Sequence, residues 1–314
     1  MPLAGLSIGK RSALLLDKEN MTKYSISPMS SLYELYLRHP RISTDSRRIE
    51  PDSVFFALRG ASFDGNRFAA DALEKGAAYA VVDDPSLPNT RPDKADRLIV
   101  VDDALQTLQT LAREHRRELG LPILAITGSN GKTTTKELVS RVLAEKYEVY
   151  ATRGNLNNHI GVPLTLLAMT RDVEFGIVEM GASACGEIAL LCSIAEPNYG
   201  IVTNIGRAHL EGFGGPEGVR RGKGELYDWL ARTGGRVFVP ANDPVLMSMA
   251  AEHETLAAEC YPTTLADGME HHLEGDYNRF NVAAAVAVGR YFGVDDERIR
   301  YAVGSYRPDN HLSL

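Results

Sequence analysis

The chain has 314 residues, of which 44% are hydrophobic and 24% charged, and its formal net charge is −7. This composition is typical of a globular protein, and at about 100–200 residues per domain the length favours two domains. The negative charge disfavours nucleic acid as a partner, although a local nest of backbone N–H groups can still bind a small anion.

The N-terminal stretch does not resemble an export signal. Its apolar run Ala13-Leu-Leu-Leu16 is too short for a signal-peptide core and is followed at once by Asp17. We expect residues 1–28 to be disordered. No apolar run approaches the ~20 residues that span a bilayer, so we expect no membrane insertion. The cysteines are odd in number and lack C-x-x-C spacing, which indicates reduced thiols in a cytoplasmic protein; they are Cys185, Cys192 and Cys260.

From residue 54 onward, short apolar runs alternate with helical patterns. The predicted strands are Val54–Leu58, Tyr79–Val82, Leu98–Val101, Ile123–Thr127, Phe175–Glu179, Gly200–Asn204 and Val237–Pro240. The predicted helices include Phe68–Lys75, Ala104–Leu119, Thr133–Lys146 and a final pair from Asn281 to about Tyr306. This alternation predicts βαβ units and an α/β fold with largely parallel sheets.

A domain boundary is predicted near Leu119–Pro122. A charged helix ends at Gly120, and Pro122 opens a new strand. We therefore expect a smaller domain at residues 29–119 and a larger one at 120–308, followed by a tail at 309–314.

The segment Thr127-Gly-Ser-Asn-Gly-Lys-Thr133 predicts a phosphate-binding loop between a buried strand and a helix. Its two glycines allow a tight turn, so that backbone N–H groups and the positive helix end face phosphates. Lys132 would approach the β- and γ-phosphates, and the Thr133 hydroxyl would hold Mg²⁺. Ile126 stands where the first glycine of the full G-x-x-x-x-G-K-[ST] pattern belongs. The alternative is a fortuitous Gly-Lys-Thr turn.

Polar residues also follow two later strands. Glu179 ends the run Gly176-Ile-Val-Glu-Met-Gly181 and is a candidate Mg²⁺ ligand, because strand C-termini line the ligand crevice of a parallel sheet. His209, in the loop after the next strand, is a candidate metal ligand through its neutral imidazole. Taken alone, each is more often a solvated or structural residue.

Two asparagines open the apolar helix near the end of the chain. Asn278 and Asn281 are three residues apart and share a helical face. Side-chain amides can bind the edge of an adenine. Helix capping explains them equally well.

Together these segments resemble the Mur ligase family, which builds the cytoplasmic precursor of bacterial peptidoglycan. The phosphate loop, Glu179-Met-Gly181, Thr203-Asn-Ile-Gly-Arg-Ala-His-Leu-Glu211 and Lys223-Gly-Glu-Leu226 follow one another in the family's order. The segment Gly154-Asn-Leu-Asn-Asn-His-Ile-Gly-Val-Pro-Leu-Thr-Leu-Leu167 resembles the branch that adds D-alanyl-D-alanine. The motifs of residues 43–66 resemble that branch's uridine-nucleotide domain, where Asn66 replaces a common His.

The resemblance implies a small UDP-binding domain followed by a central ATP-binding domain. It also implies ATP and two Mg²⁺ ions as cofactors, and UDP-N-acetylmuramoyl-tripeptide and D-alanyl-D-alanine as substrates of a monomer. Implied ATP ligands are Gly128, Ser129, Asn130, Gly131, Lys132, Thr133 and Thr134, with Asn278 and Asn281 at adenine. Implied metal ligands are Thr133, Glu179, His209 and a carbamylated Lys223, and the implied catalytic set is Lys132, Lys223 and His209. Implied substrate contacts are Ser46, Arg47, Asn155, Asn157 and Asn158.

The implied reaction is the formation of an acyl phosphate from ATP and a substrate carboxylate, followed by attack of an amine. The family's third, Rossmann-like domain would begin where this sequence stops. We therefore expect a truncated chain that keeps its nucleotide sites and has little or no ligase activity alone.

Three other functions are alternatives. A folylpolyglutamate synthase-like ligase is disfavoured because that enzyme lacks a module like Ser43–Asn66. A non-catalytic UDP-sugar- or ATP-binding remnant would bind nucleotide without turnover. A GTPase-type switch is disfavoured because no N-K-x-D motif occurs.

Overall fold

The computed structural model describes residues 28–207 and 209–308. Most of the stretch expected to be disordered, residues 1–28, lies outside these ranges, as does the predicted tail at 309–314. Pro28 is an exception, because the first helix begins there, and the prediction is wrong at that residue. Within the described ranges, no helix is both long enough and apolar enough to cross a membrane.

The described residues form two parallel sheets. The strands are β1 (Ile42–Ser43), β2 (Val54–Phe56), β3 (Tyr79–Val82), β4 (Leu98–Val100), β5 (Ile123–Thr127), β6 (Val149–Ala151), β7 (Phe175–Glu179), β8 (Tyr199–Val202), β9 (Arg236–Pro240) and β10 (Ala257–Tyr261). The first sheet has the order β1-β2-β3-β4, and the second has the order β10-β9-β8-β5-β7-β6. Every pairing between these strands is parallel, which confirms the predicted α/β class.

Helices connect the parallel strands, as such pairing requires. They are α1 (Pro28–Arg38), α2 (Ala69–Glu74), α3 (Leu87–Thr90), α4 (Ala104–Leu119), α5 (Lys132–Ala144), α6 (Gly161–Leu167), α7 (Glu187–Ala195), α8 (Leu210–Phe213), α9 (Pro216–Thr233), α10 (Pro244–Ala251), α11 (Asn278–Tyr291) and α12 (Asp296–Ser305). Short 3₁₀ turns cover Gly65–Phe68, Ala95–Arg97 and Thr263–Ala266.

All seven predicted strands are present; three have the predicted bounds, and the other four have ends shifted by one or two residues. The helix predicted at Phe68–Lys75 is a 3₁₀ turn followed by α2. The final helix pair begins at Asn278 rather than Asn281, and Asp295 caps α12 by accepting from the amide of Glu297. The strands β1, β6 and β10 were missed, because they are short or only partly buried and lack a continuous apolar run.

The second sheet is covered on both faces. Leu124 and Ile126 of β5 belong to the cluster that contains α5 and α11, whereas Ile123 and Ala125 belong to the cluster that contains α4, α6, α7 and α9. Alternate residues of a strand point to opposite faces, so these clusters lie on the two sides of the sheet. The apolar stripe of α5 is fully buried; it consists of Leu138, Val139, Val142 and Leu143.

Helix α4 lies between the two sheets. Its first turn is capped by Asp103, whose carboxylate accepts from the amide of Gln106 at 2.8 Å, and it ends at Gly120, where φ is 63°. Its Leu108 belongs to the same core cluster as Phe56 of β2 and Leu166 of α6. Because α4 packs on both sides, the division near Leu119–Pro122 stays a prediction.

Candidate active site

The loop between β5 and α5 is held in its conformation by two glycines. The φ angles are 137° at Gly128 and 76° at Gly131, a region that favours glycine. A Cβ on Gly131 would lie 2.7 Å from Oδ1 of Asn281, and one on Gly128 would collide with Thr203. These positions therefore need glycine for both backbone and space.

A neighbouring loop braces the phosphate loop. The carbonyl of Asn204 accepts from the amide of Ser129 at 3.1 Å, and its Oδ1 accepts from the amide of Asn130 at 3.1 Å. Thr203 donates its hydroxyl to the carbonyl of Asn130 at 2.6 Å. The amides still available to an anion are therefore those of the first turn of α5, which have no carbonyl partner inside the helix.

Lys132 folds back over this loop. Its Nζ donates to the carbonyl oxygens of Gly128 at 3.0 Å and Ser129 at 3.3 Å. Burial lowers the pKa of Lys132, and the carboxylate of Glu179 opposes that shift. The ammonium group thus lies at the loop that we predicted to bind phosphates.

Glu179 ends β7 and is 2% exposed. Its Oε1 accepts from Nδ2 of Asn157 at 2.8 Å. Its Oε2 has no hydrogen-bond partner among the described residues, and the nearest cation is Nζ of Lys136 at 3.8 Å. A buried carboxylate oxygen without a hydrogen bond suits a cation ligand.

Lys223, on α9, is buried beside the same region. Its Nζ donates to the carbonyl of Ala182 at 3.1 Å and lies 5.1 Å from the centre of the Phe213 ring. Burial, and then the charge of Lys132, lower the pKa of Lys223 to about 8. The neutral amine is therefore far more accessible here than in an ordinary lysine.

A cleft of about 540 Å³ unites these elements. The residues that line it are Gly128, Ser129, Lys132, Asn157, Asn158, His159, Gly181, Ala182, Ser183, Glu187, Leu190, Leu191, His209 and Lys223. His209 is exposed and adopts a left-handed backbone conformation with φ of 56°. The structure therefore brings Lys132, His209 and Lys223 to one cleft, with Glu179 joined to it through Asn157.

The asparagines after β6 differ in their positions. Asn157 lines the cleft and its carbonyl accepts from the amide of Gly181 at 2.8 Å. Asn158 also lines the cleft, and its Oδ1 accepts from the amides of Ile160 and Gly161, where α6 begins. Asn155 is exposed and does not line the cleft.

Asn278 and Asn281 share a helical face, as predicted. Nδ2 of Asn281 donates to Oδ1 of Asn278 at 2.8 Å, and Asn278 donates to the carbonyl of Glu274. Oδ1 of Asn281 accepts from the hydroxyl of Thr135 at 3.0 Å. Both amides are buried and internally bonded, so their role at adenine stays a prediction.

The first sheet carries the remaining predicted contacts. Ser46 and Arg47 lie in a turn after β1, and neither lines the cleft. Arg47 makes two bonds of 2.8 Å to Asp45. Asn66 is buried and bonds Asp64 at 2.8 Å and Asp83 at 2.6 Å, so it closes a loop of the first sheet.

The sequence reading missed Lys136 and Asn204. Asn204 belongs to the segment Thr203–Glu211. Its hydrogen bonds to the phosphate loop join two segments that are far apart in the chain, so the local pattern does not predict them. Lys136 follows Lys132 by four residues, a spacing that places both on one side of α5. That spacing was the available signal.

The sequence of this chain matches two family models and several curated relatives. The family model described as the Mur ligase middle domain matches residues 126–264, and the Mur ligase family catalytic domain matches residues 40–116. UDP-N-acetylmuramoyl-tripeptide–D-alanyl-D-alanine ligase of Bacillus subtilis is 37% identical, over 82% of this chain and 59% of the relative. The enzyme of the same name from Synechocystis is 35% identical, over 84% of this chain and 61% of the relative.

Solved structures agree in fold. A crystal structure of MurF from Acinetobacter baumannii gives a TM-score of 0.75 at 30% identity, covering 86% of this chain and 63% of that chain. MurF ligase from Thermotoga maritima in complex with ADP gives 0.73 at 28% identity, covering 87% and 67%. The chain thus spans 59–61% of the length of the two curated relatives named above.

Proposed function

We propose, since this chain belongs to the Mur ligase family, that it serves the ATP-dependent ligation of D-alanyl-D-alanine to UDP-N-acetylmuramoyl-tripeptide. The observation that carries the proposal is the single cleft in which the phosphate loop meets Lys132, His209 and Lys223. The substrates come from the names of the relatives. Because the chain spans only part of their length, its activity, substrates and partners are proposals.

The nucleotide would bind at the start of α5. Its terminal phosphates would meet the first-turn amides, including those of Thr133 and Thr134, while Lys132 exchanges its carbonyl partners for phosphate oxygens. Adenine would lie towards Asn278 and Asn281, which would exchange their internal bonds for the base. The ADP complex of the Thermotoga maritima relative agrees with a nucleotide in this family.

The residues present fit two Mg²⁺ ions. Thr133 and Glu179 would hold one, for which the unpartnered Oε2 of Glu179 is the supporting observation. His209 and Lys223 would hold the second once Lys223 is carbamylated, a reaction that needs its neutral amine. In the described part of the chain, no group of three or more His, Cys, Asp and Glu side chains forms a ready-made site. When bound, the ions neutralise charge on the phosphate oxygens.

The reaction then proceeds in two displacements. The terminal carboxylate of the tripeptide attacks the γ-phosphorus, ADP leaves, and an acyl phosphate forms. The amine of D-alanyl-D-alanine attacks the acyl carbon, phosphate leaves, the amine loses a proton and an amide bond remains. Lys132 stabilises the negative charge that moves to the β-phosphate, and most of the rate enhancement comes from positioning and charge.

The remaining contacts concern the two substrates. Asn155, Asn157 and Asn158 would position the tripeptide end, and Ser46 and Arg47 would contact the UDP moiety. We place the reaction in the cytoplasmic synthesis of peptidoglycan precursor, on which cell-wall growth, cell shape and division depend. We propose that the chain acts as a monomer.

Calorimetry with Mg·ATP and with UDP-N-acetylmuramoyl-tripeptide tests the binding sites, and phosphate release on addition of D-alanyl-D-alanine tests the reaction. Saturable binding of both ligands is expected, with little or no phosphate release from this chain alone and dependent release when the family's third domain is supplied in trans. Binding without release even then would replace the ligase by a nucleotide-binding remnant. Turnover with folate and glutamate instead would move the chain to the folylpolyglutamate branch, and absence of nucleotide binding would overturn the proposal.

A further inference from the structure

Lys136 is a buried lysine with a defined set of partners. It lies one turn after Lys132 on α5 and is 1% exposed. Its Nζ donates to the carbonyl of Thr152 at 2.7 Å, and it lies 3.0 Å from Oε1 of Glu137 and 3.8 Å from Oε2 of Glu179. Burying an ammonium group is costly unless it is paired, so these partners account for its position.

The two carboxylates near Lys136 differ in environment. The side chain of Glu137 is 38% exposed. Water therefore screens its charge, and its ion pair with Lys136 does not account for the burial of the lysine. Glu179 is 2% exposed, and its Oε2 accepts no hydrogen bond from the described residues. The ammonium of Lys136 is thus the ion-pair partner of Glu179 among the described residues, and the charge of Lys132 acts on the same carboxylate from farther away.

Thr152 connects the lysine and the carboxylate a second time. Its carbonyl accepts from Lys136, and its hydroxyl accepts from the backbone amide of Glu179 at 3.0 Å. Its own amide donates to the carbonyl of Ile177. Lys136 therefore ties the helix that begins at the phosphate loop to the strand end that carries Glu179.

Asn157 completes the arrangement. It holds Oε1 of Glu179, while Lys136 lies near Oε2, so the carboxylate is fixed by one neighbour on each oxygen. Oε1 of Glu179 accepts the hydrogen bond from Asn157. The other oxygen accepts no hydrogen bond from the described residues and lies 3.8 Å from Nζ of Lys136.

We propose that Lys136 is a positioning residue that holds the carboxylate of Glu179 in the orientation that a divalent cation at the phosphate loop requires. The proposal rests on the function proposed above, because it takes Glu179 to meet the magnesium of the bound nucleotide. Lys136 itself touches neither nucleotide nor metal. It acts through Glu179 and Thr152.

The first test separates metal binding from nucleotide binding. ADP affinity is measured by calorimetry with MgCl₂ and with EDTA, and the ratio gives the enhancement by Mg²⁺. Lys136→Met is expected to reduce that enhancement by about 10- to 100-fold, the usual effect of losing a partner behind a metal ligand, while affinity in EDTA changes little. Lys146→Met is the matched control, because Lys146 also donates to two carbonyls near α5 but lies away from the cleft.

The outcomes of this test are distinct. An unchanged enhancement in Lys136→Met overturns the proposal, and so does an equal loss in EDTA and in MgCl₂, which would mean a disturbed phosphate loop. If the parent chain itself gains nothing from Mg²⁺, the proposed metal site fails instead. The thermal measurements below then decide the role of Lys136 alone.

The second test needs neither nucleotide nor metal. Melting temperatures are compared for Lys136→Met, Glu179→Gln and the double variant, with Glu137→Gln as control. Either single variant at the buried pair is expected to melt roughly 5–15 °C lower than the parent, because one charge is left uncompensated. The drop in melting temperature of the double variant should be smaller than the sum of the two single drops. Glu137→Gln combined with Lys136→Met should show no such coupling. Additive losses at Lys136 and Glu179 would overturn the proposal.

Discussion

Asn157 donates from Nδ2 to Oε1 of Glu179 across 2.8 Å, and this bond joins the loop after β6 to the end of β7. The same asparagine accepts from the amide of Gly181 through its carbonyl. One residue therefore fixes both a carboxylate and the backbone that follows it. The cleft wall is built from this contact between two segments that are more than twenty residues apart in the chain.

Replacing Asn157 by Ala should destabilise the protein and weaken nucleotide binding in the presence of Mg²⁺. A buried carboxylate would lose its hydrogen bond, which costs about 1–3 kcal/mol in free energy of unfolding. Urea denaturation measures this loss. Asn155→Ala is the control, because Asn155 is exposed and should change the stability by less than about 0.5 kcal/mol. Equal stability of both variants would contradict the role of the bond.

Lys132→Met should reduce the affinity for Mg·ADP by about 10- to 100-fold, the effect of losing a hydrogen bond from a charged donor to phosphate. The measurement is calorimetric titration. The folded state should persist, because the carbonyl oxygens that now accept from Lys132 belong to Gly128 and Ser129, two residues that line the cleft. Lys146→Met should bind as the parent does. Unchanged affinity in Lys132→Met would remove the basis of the nucleotide assignment.

Gly131→Ala should cost more stability than Gly120→Ala, although both glycines have a left-handed backbone. At Gly120 the nearest atom to an added Cβ is 3.9 Å away, so only the backbone penalty of about 1 kcal/mol is expected. At Gly131 the Cβ would also press on Oδ1 of Asn281, and a total loss of about 2–4 kcal/mol follows. Chemical denaturation gives the free energy of unfolding of the two variants. Equal losses would mean that the loop and Asn281 accommodate the added Cβ at no cost.

The phosphate loop was predictable because its signal is local. A buried run, two glycines and Lys132-Thr133 lie within a dozen residues, and the strand-to-helix switch follows from their order. The edge strands β6 and β10 were not predictable, because their partly buried residues are fixed by pairing with β7 and β9 rather than by their own pattern. Pairing between distant segments is a tertiary effect that overrides local propensity.

The burial of the polar residues around the site could not be predicted from the sequence either. Lys136 has the spacing of a polar helix face, and its burial depends on the positions of Thr152, directly after β6, and Glu179, at the end of β7. The internal bonds of Asn278 and Asn281 likewise arise from packing of α11 against α5. Sequence reasoning identified these asparagines as a pair but could not give the partners that they bind.

Lys223 should react with CO₂ more readily than an ordinary lysine. Its pKa is lowered from 10.5 to about 8, so the neutral amine that CO₂ requires forms at lower pH. At pH 7 its neutral fraction is about 10%, against less than ~0.1% for an unshifted lysine, and it rises further as the pH passes through the pKa. ¹³C NMR with labelled bicarbonate should show a carbamate signal that grows from pH 7 to pH 8 and is absent in Lys223→Met. A signal that persists in the variant would place the carbamate elsewhere.

His115 should make the protein lose stability as the pH falls below 6.5. The side chain of His115 is 5% exposed. Because the carbonyl of Met169 can only accept, Nε2 of His115 carries the proton and donates it to that carbonyl at 2.8 Å. Nδ1 accepts from the hydroxyl of Tyr33. Burial lowers the pKa of His115 from 6.5, so below that pH the unfolded chain binds a proton that the folded chain does not. The stability contributed by the neutral ring is complete above pH 6.5 and is lost as the pH falls through the lowered pKa.

The expected slope is at most about 1.4 kcal/mol of unfolding free energy per pH unit, the value for one proton. Urea denaturation at pH 7.5, 6.5 and 5.5 measures it. His115→Gln should be less stable at pH 7.5, because the bonds to Tyr33 and Met169 are weakened, but its stability should fall less steeply towards pH 5.5. His272→Gln, at an exposed position, should follow the parent at each pH. If His115→Gln kept the parent's slope, the acid sensitivity would have to come from other groups, and the contact between α1, α4 and the end of α6 would not depend on a neutral ring.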